Sequence, residues 1–264
     1  MSTVYVQVIG GLANQLWQFA AALNFAKQNN IDNVICDPTW LEALKNTPGI
    51  TPRDYALEPF GAVCGAATAS ATRLGWNSID RNGIVSDDYI LHGYFQNKDI
   101  VTDEIADLFL SRLLDRRIMH LERQPGLSKP GYSVMMHIRR GDYVTNPNAF
   151  AHHGVLGEDY YQLAMQVMAK YSPTSVFVAT EDVEYVRDNL YAYIPRGPYN
   201  THVVDMDAMD TLALMSLCDA HIIANSSFSW WGARFSKSSN VIYPNQWTRH
   251  SSAPELMYPE WVGI

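Results

Sequence analysis

The chain has 264 residues, which at roughly 150 residues per domain allows two domains or one large one. A composition of 47% hydrophobic and 17% charged residues excludes disorder, and a chain of this length buries a core without disulfide or metal staples. The net charge of −8 excludes nucleic acid as a general partner, because an acidic surface repels a phosphate polymer, although a local basic site could still hold a single nucleotide.

Residues 3–9 are rich in Val and Ile and read as a buried strand, broken by Gly10-Gly11. Over 14–28, Leu16, Phe19, Ala20, Leu23 and Ala26 recur at helical spacing. A short strand at 34–36 stops at Asp37-Pro38, so strand, glycine turn, helix and strand open an α/β unit. Residues 47–81 show no clean period and carry no assignment. Residues 89–96 read as a strand and 104–121 as a helix. Gln124-Pro125-Gly126 and Lys129-Pro130-Gly131 mark a linker, which divides the chain into residues 1–128 and 129–264. Beyond it come a strand at 132–138, a long polar loop at 139–157 and a helix at 158–171. A strand at 175–179, a helix at 183–190, a strand at 201–204 and a helix at 208–218 follow. A strand at 220–224, a helix at 229–235 and a strand at 241–243 complete the series. Such alternation predicts an α/β fold of parallel sheets covered on both faces, with ligands beyond the carboxyl ends of the strands.

The three cysteines, Cys36, Cys64 and Cys218, are odd in number and form no Cys-x-x-Cys pair. A reducing compartment is expected, with neither a disulfide framework nor a structural zinc. The first residues enter a strand pattern without a basic or apolar leader, and no apolar run approaches the ~20 residues of a membrane span. No transmembrane anchor is expected.

Three strand ends carry polar sequence that suits chemistry. After the first strand, Gly10-Gly11-Leu12-Ala13-Asn14-Gln15 sets a glycine turn at a helix start, where free N–H groups and the macrodipole favour an anion. A plain tight turn explains the same residues. After the strand at 132–138, His137-Ile138-Arg139-Arg140-Gly141-Asp142-Tyr143 places two guanidinium groups where Asp142 alone would not neutralise them. Arginine forks suit phosphate oxygens, and the alternative is an internal Arg–Asp bridge. After the strand at 220–224, Asn225-Ser226-Ser227 opens a helix, either as N-caps or as a phosphate cradle.

Two further patterns have plainer explanations. Asp205-Met206-Asp207 has a metal-binding Asp-x-Asp form but stands before a helix, where acids favour the dipole. His152-His153 is spaced poorly for one metal ion and reads as an exposed loop, or as a contact to a sugar acceptor.

Four segments together resemble the α-1,2-fucosyltransferases of glycosyltransferase family 11. They are residues 10–16, His92-Gly93-Tyr94-Phe95-Gln96, residues 137–143, and Asn225-Ser226-Ser227-Phe228-Ser229-Trp230-Trp231-Gly232, with Tyr160-Tyr161 beside them. The resemblance implies two Rossmann-like lobes of the GT-B type with the nucleotide-sugar cleft between them. The first lobe would lie on the acceptor side and the second would bind GDP-fucose. It implies inversion at the anomeric carbon, GDP-fucose as donor substrate, no cofactor and no metal. A terminal β-galactoside on an oligosaccharide or glycolipid would be the acceptor, fucosylated at its 2-hydroxyl. The expected location is the cytoplasm of a bacterial or virus-infected cell, free or peripheral to the inner membrane.

Carried to this chain, the family pattern gives Arg139 the β-phosphate and Arg140 a supporting place. His137, Asn225, Ser226 and Ser227 would sit at the nucleotide, and Gly11, Asn14 and Gln15 at the substrate or the nucleotide. Glu181 and Asp182 would read guanine or ribose, and Asp142 would either act as general base or orient an arginine. The chain departs from the pattern at three places: Ala13 for a usual Gly, Thr180-Glu181-Asp182 for a Ser-Asp-Asp-like segment, and Arg234 for a usual Trp. Other readings are a related GDP-sugar transferase, a non-catalytic nucleotide-sugar or glycan-binding protein, and a metal-dependent transferase.

Overall fold

The computed structural model describes residues 2–75, 88–115, 117, 121, 131–252 and 254–264. The chain forms two compact units, Met1–Arg112 and Leu113–Ile264. Most of the linker sequence falls outside the described residues. Among the described residues, no helix is long and apolar enough to cross a membrane.

In the first unit, β1 (Thr3–Gln7), β2 (Asn33–Asp37), β3 (Val63–Cys64), β4 (Thr72–Leu74) and β5 (Asp88–Leu91) form a sheet in the order β3-β2-β1-β5-β4. Every pairing is parallel. Parallel strands need a crossover, and the helix Leu12–Gln28 supplies the one between β1 and β2. Its Ala- and Leu-rich sequence favours the helix, and Leu16, Trp17, Ala20 and Phe25 bury its inner face. Phe19 stacks on Phe109 at 5.3 Å, which packs Leu12–Gln28 against the helix Asp103–Leu114. Strands β2 and β3 lie on one side of β1 while β5 and β4 lie on the other. The ends of β1 and β5 therefore flank the point where the winding reverses, the place an open α/β sheet offers a ligand.

The second unit has β6 (Ser133–His137), β7 (Ser175–Ala179), β8 (Asn200–Val203), β9 (Ala220–Ile222), β10 (Val241–Tyr243) and β11 (Val262–Gly263). Their order is β11-β10-β9-β6-β7-β8, again all parallel. All five residues of β6 and of β7 are buried, as strands covered on both faces require. The winding reverses between β6 and β9. That point brings the arginine-rich segment and the Asn225 turn side by side.

Three expectations need correction. The stretch 139–157 is not one long loop: it contains the helices Asp142–Thr145 and Pro147–His153. Asn146 caps the second by accepting from the amides of Asn148 and Ala149, and Pro147 presets its first turn. The strand expected at 89–96 ends at Leu91, because Gly93 takes φ +146 and Phe95 φ +52, both incompatible with a strand. The helix expected at 104–121 closes at Leu114. Within 47–81 stand β3, β4 and a 3-10 turn, Glu58–Phe60.

Candidate active site

Gly141 sets the geometry of the segment after β6. Its φ of +47 lies in the region that side chains avoid, and a Cβ there would meet the Glu181 Cβ at 3.4 Å. The reversal lets Asp142 turn back onto Arg139, three residues before it, in an ion pair. Glu181, just beyond β7, pairs with the other side of the same guanidinium, and its second oxygen accepts from the Arg140 amide at 3.3 Å. Arg140 donates through Nε to Asp182 at 2.9 Å and lies 3.4 Å above the Tyr185 ring. The sequence suggested that two guanidinium groups exceed their local acids. Parallel pairing of β6 with β7 corrects that, because it brings two more carboxylates to the same edge. Two arginines thus face Asp142, Glu181 and Asp182.

His137, the last residue of β6, is 2% exposed. Burial, with the Arg139 charge adding to it, pushes its pKa down to about 3, so the ring is neutral. Its Nδ1 is buried without a hydrogen-bond partner, and its Nε2 stands 3.9 Å from Glu181. A buried ring nitrogen left open in this way calls for a polar group to complete it.

The turn after β9 is built differently. Asn225 is buried, and its amide donates to the carbonyls of His153 at 3.0 Å and Trp247 at 3.2 Å. Both of its N–H bonds are thereby committed, while its Oδ1 is buried and unpaired. Ser226 is the N-cap of the helix Ser227–Ser236, accepting from the Phe228 amide at 3.3 Å. The helix is anchored by Trp230, whose indole donates to the Leu256 carbonyl at 2.6 Å. Its positive dipole end opens at Ser226 and Ser227.

Tyr143 joins the two segments. Its hydroxyl donates to the Asn225 carbonyl at 3.2 Å, and the Arg139 guanidinium carbon lies 4.6 Å from its ring centre. His153 stacks on the same ring at 4.4 Å, with planes 5° apart. His153 is therefore a half-buried packing partner and not part of an exposed loop. Burial first, then the charges of His152 and Arg139, depress its pKa to about 4. Sequence pattern gives no sign of Tyr185, and it marks Tyr143 only as the end of the 137–143 segment and His153 only as a possible acceptor contact, not as neighbours of Arg139. The one available signal was an aromatic residue four positions after Arg139.

The first unit places Asn14 and Gln15 at the start of the helix Leu12–Gln28. Gln15 is fully buried and donates to the carbonyls of Gly10 at 2.9 Å and Asp54 at 2.8 Å. It also accepts from the Ala56 amide, so all its bonds fasten the segment 54–56 to the glycine turn. Asn14 accepts from Gln96 at 2.9 Å, which ties the end of β1 to the segment after β5. Gly11 has an ordinary φ of −75, and a Cβ on it would lie 3.8 Å from the Arg53 side chain. Ala13 sits in the first helical turn with its methyl buried, so replacing a glycine there brings no strain.

The remaining sequence patterns have local partners. Asp205 pairs with Arg187 at 3.0 Å, and Asp207 caps the helix Ala208–Ser216 by accepting from the Asp210 amide at 2.8 Å. Arg234 is buried, with its guanidinium 5.6 Å from the Tyr258 ring centre.

Two α/β units with all-parallel sheets, the second carrying a charged segment at the carboxyl ends where its winding reverses, have the architecture of GT-B glycosyltransferases. The crystal structure of NodZ alpha-1,6-fucosyltransferase co-crystallised with GDP shares this fold, with a TM-score of 0.54 at 14% identity over 88% of this chain and 92% of that one. Residues 77–264, more than two thirds of the chain, match the model of glycosyl transferase family 11, and the chain belongs to that family. It is 26% identical to the O-antigen biosynthesis glycosyltransferase WbnK of Escherichia coli, over 99% of this chain and all of the relative. It is 27% identical to an alpha-1,2-colitosyltransferase of Escherichia coli, over 88% of this chain and 87% of the relative.

Proposed function

We propose that this enzyme transfers L-fucose from GDP-fucose to the 2-hydroxyl of a terminal galactoside, with inversion and without a metal ion. The observation that carries the reading is the link that Tyr143 makes, at the winding reversal of the second sheet, between Arg139 against its ring and the Asn225 turn that opens the helix Ser227–Ser236. A diphosphate leaving group needs positive charge where its own charge grows, and a guanidinium fork with helix-start amides supplies it. The acceptor O2 attacks C1 of fucose from the face opposite GDP. The O2–C1 bond forms, the bond from C1 to the β-phosphate oxygen breaks with its electrons staying on GDP, and the proton of the attacking 2-hydroxyl passes to solvent water as the new bond completes. Arg139 exchanges carboxylate partners for phosphate oxygens, while Arg140 stays with Asp182 and holds the loop. The open nitrogen of His137 and the open Oδ1 of Asn225 complete their hydrogen bonds at the nucleotide. Glu181, released from Arg139, is then free to accept from guanine or ribose. Pairing with Arg139 favours Asp142 as the group that orients this arginine over Asp142 as general base.

The family membership, and the GDP found with the NodZ enzyme of the same fold, support a GDP-sugar donor. Likeness to a colitosyltransferase makes a colitosyl donor the second reading. Incubation with a panel of GDP-sugars and glycans, in the presence of EDTA, separates them by linkage analysis. A fucosylated galactoside formed despite the chelator is the expected product. Binding of GDP-fucose with neither transfer nor hydrolysis would leave only a nucleotide-sugar-binding protein.

A further inference from the structure

At the carboxyl edge of the first sheet, side chains from three neighbouring strands meet. Gln7 ends β1, His92 directly follows β5, and Trp40 lies three residues after β2. The Trp40 and His92 rings are 5.4 Å apart. Gln7 is 4% exposed, and its Oε1 lies 2.8 Å from His92 Nδ1 and 3.5 Å from an Arg73 nitrogen. A guanidinium can only donate, so the Gln7 atom that both groups approach is the carbonyl oxygen. It follows that the His92 proton sits on Nδ1 and that Nε2 offers a lone pair. The fold thus commits a buried amide to fixing the tautomer of a half-exposed imidazole. Beside that imidazole stands an indole that is 40% exposed, whereas Trp17, Trp230 and Trp231 are fully buried. Tyr94, 49% exposed, follows two residues after His92. Packing alone gives no reason for this arrangement.

We propose that Trp40, His92 and Arg73 form a pyranose subsite that selects the acceptor. A sugar ring has one hydrocarbon face and a rim of hydroxyl groups. The Trp40 indole offers an apolar plane for the face, His92 Nε2 accepts from one hydroxyl, and Arg73 donates to a second oxygen. A galactoside suits the plane, because its axial 4-hydroxyl leaves the opposite face as unbroken C–H. A phosphate would bring only acceptors to a nitrogen that itself only accepts. The inference rests on the transferase reading and names the residues that recognise its acceptor.

Ligand-observed NMR of the full chain with methyl β-galactoside, beside calorimetry with GDP, tests it. The unaltered chain should transfer saturation to the ring protons of the sugar. Trp40→Ala should weaken sugar binding about tenfold, and Trp40→Phe, which keeps a smaller plane, should lose less. His92→Asn keeps a donor towards Gln7 but deletes the Nε2 acceptor, and should weaken binding about three- to tenfold. GDP affinity should stay unchanged in all three, and an unchanged urea unfolding midpoint reports that the first unit still folds. Sugar binding unaltered in both Trp40→Ala and His92→Asn, or absent from the unaltered chain, would overturn the subsite. Sugar binding as described in a chain that never consumes GDP-fucose would refute the transferase reading and leave the subsite standing.

Discussion

Arg139 is held on three sides, by Asp142, by Glu181 and by the face of Tyr143. Such a guanidinium is already aimed before a phosphate arrives, so little is lost in ordering it. We expect Arg139→Ala to lower kcat by about 10²–10³, or about 3–4 kcal/mol of transition-state stabilisation. Arg139→Lys, which keeps the charge and loses the fork, should recover only part of that in the same turnover assay. Asp142→Asn separates two roles. If Asp142 orients Arg139, kcat falls about tenfold while the pH profile keeps its shape, and loss of the acid limb of kcat/KM would identify a general base instead. The arginine pair was legible from the sequence because charge at the end of an apolar strand has few structural uses. Its carboxylate partners Glu181 and Asp182 were assigned to guanine or ribose, since only the β6–β7 register places them beside the arginines.

At the scale of elements, the site is two strand ends clipped together. Gly141 and the helix Ser227–Ser236 are the parts that set their shape. Gly141→Ala puts a side chain at φ +47 and should cost about 1–3 kcal/mol in denaturant unfolding, with a matching loss of GDP affinity as Asp142 leaves Arg139. Ser226→Ala removes the cap and should cost about 1 kcal/mol by the same measurement. The long buried strands were legible because parallel strands covered on both faces are continuous apolar runs. The two- and three-residue strands β3, β4 and β11 are shorter than any period. The helix Pro147–His153 buries none of its residues, so it left no apolar stripe to read, only the Asn146 cap.

For the whole molecule, buried histidines make stability depend on pH. His137 and His221 are pushed down to about 3 and His153 to about 4, in each case mainly by burial. Folding therefore expels protons that the unfolded chain takes up below its ordinary histidine pKa of about 6.5. The neutral rings are harmless above that value, and stability falls as the pH drops from there towards the folded values. Between pH 6.5 and 5 each fully buried ring, His137 and His221, should remove about 2 kcal/mol of unfolding free energy. Urea titrations across this window should show the slope, and His221→Gln should flatten it by one proton. A slope unchanged by His221→Gln would mean that this ring is hydrated in the folded state.

The central claim is that arginine and helix-start amides receive the diphosphate of the departing nucleotide. A crystal structure of the chain with GDP bound tests it most directly. We expect the β-phosphate on the Arg139 guanidinium, within hydrogen-bond reach of the amides that open the helix Ser227–Ser236, with Glu181 turned away from Arg139. A diphosphate lodged away from both the segment after His137 and that helix start would contradict it.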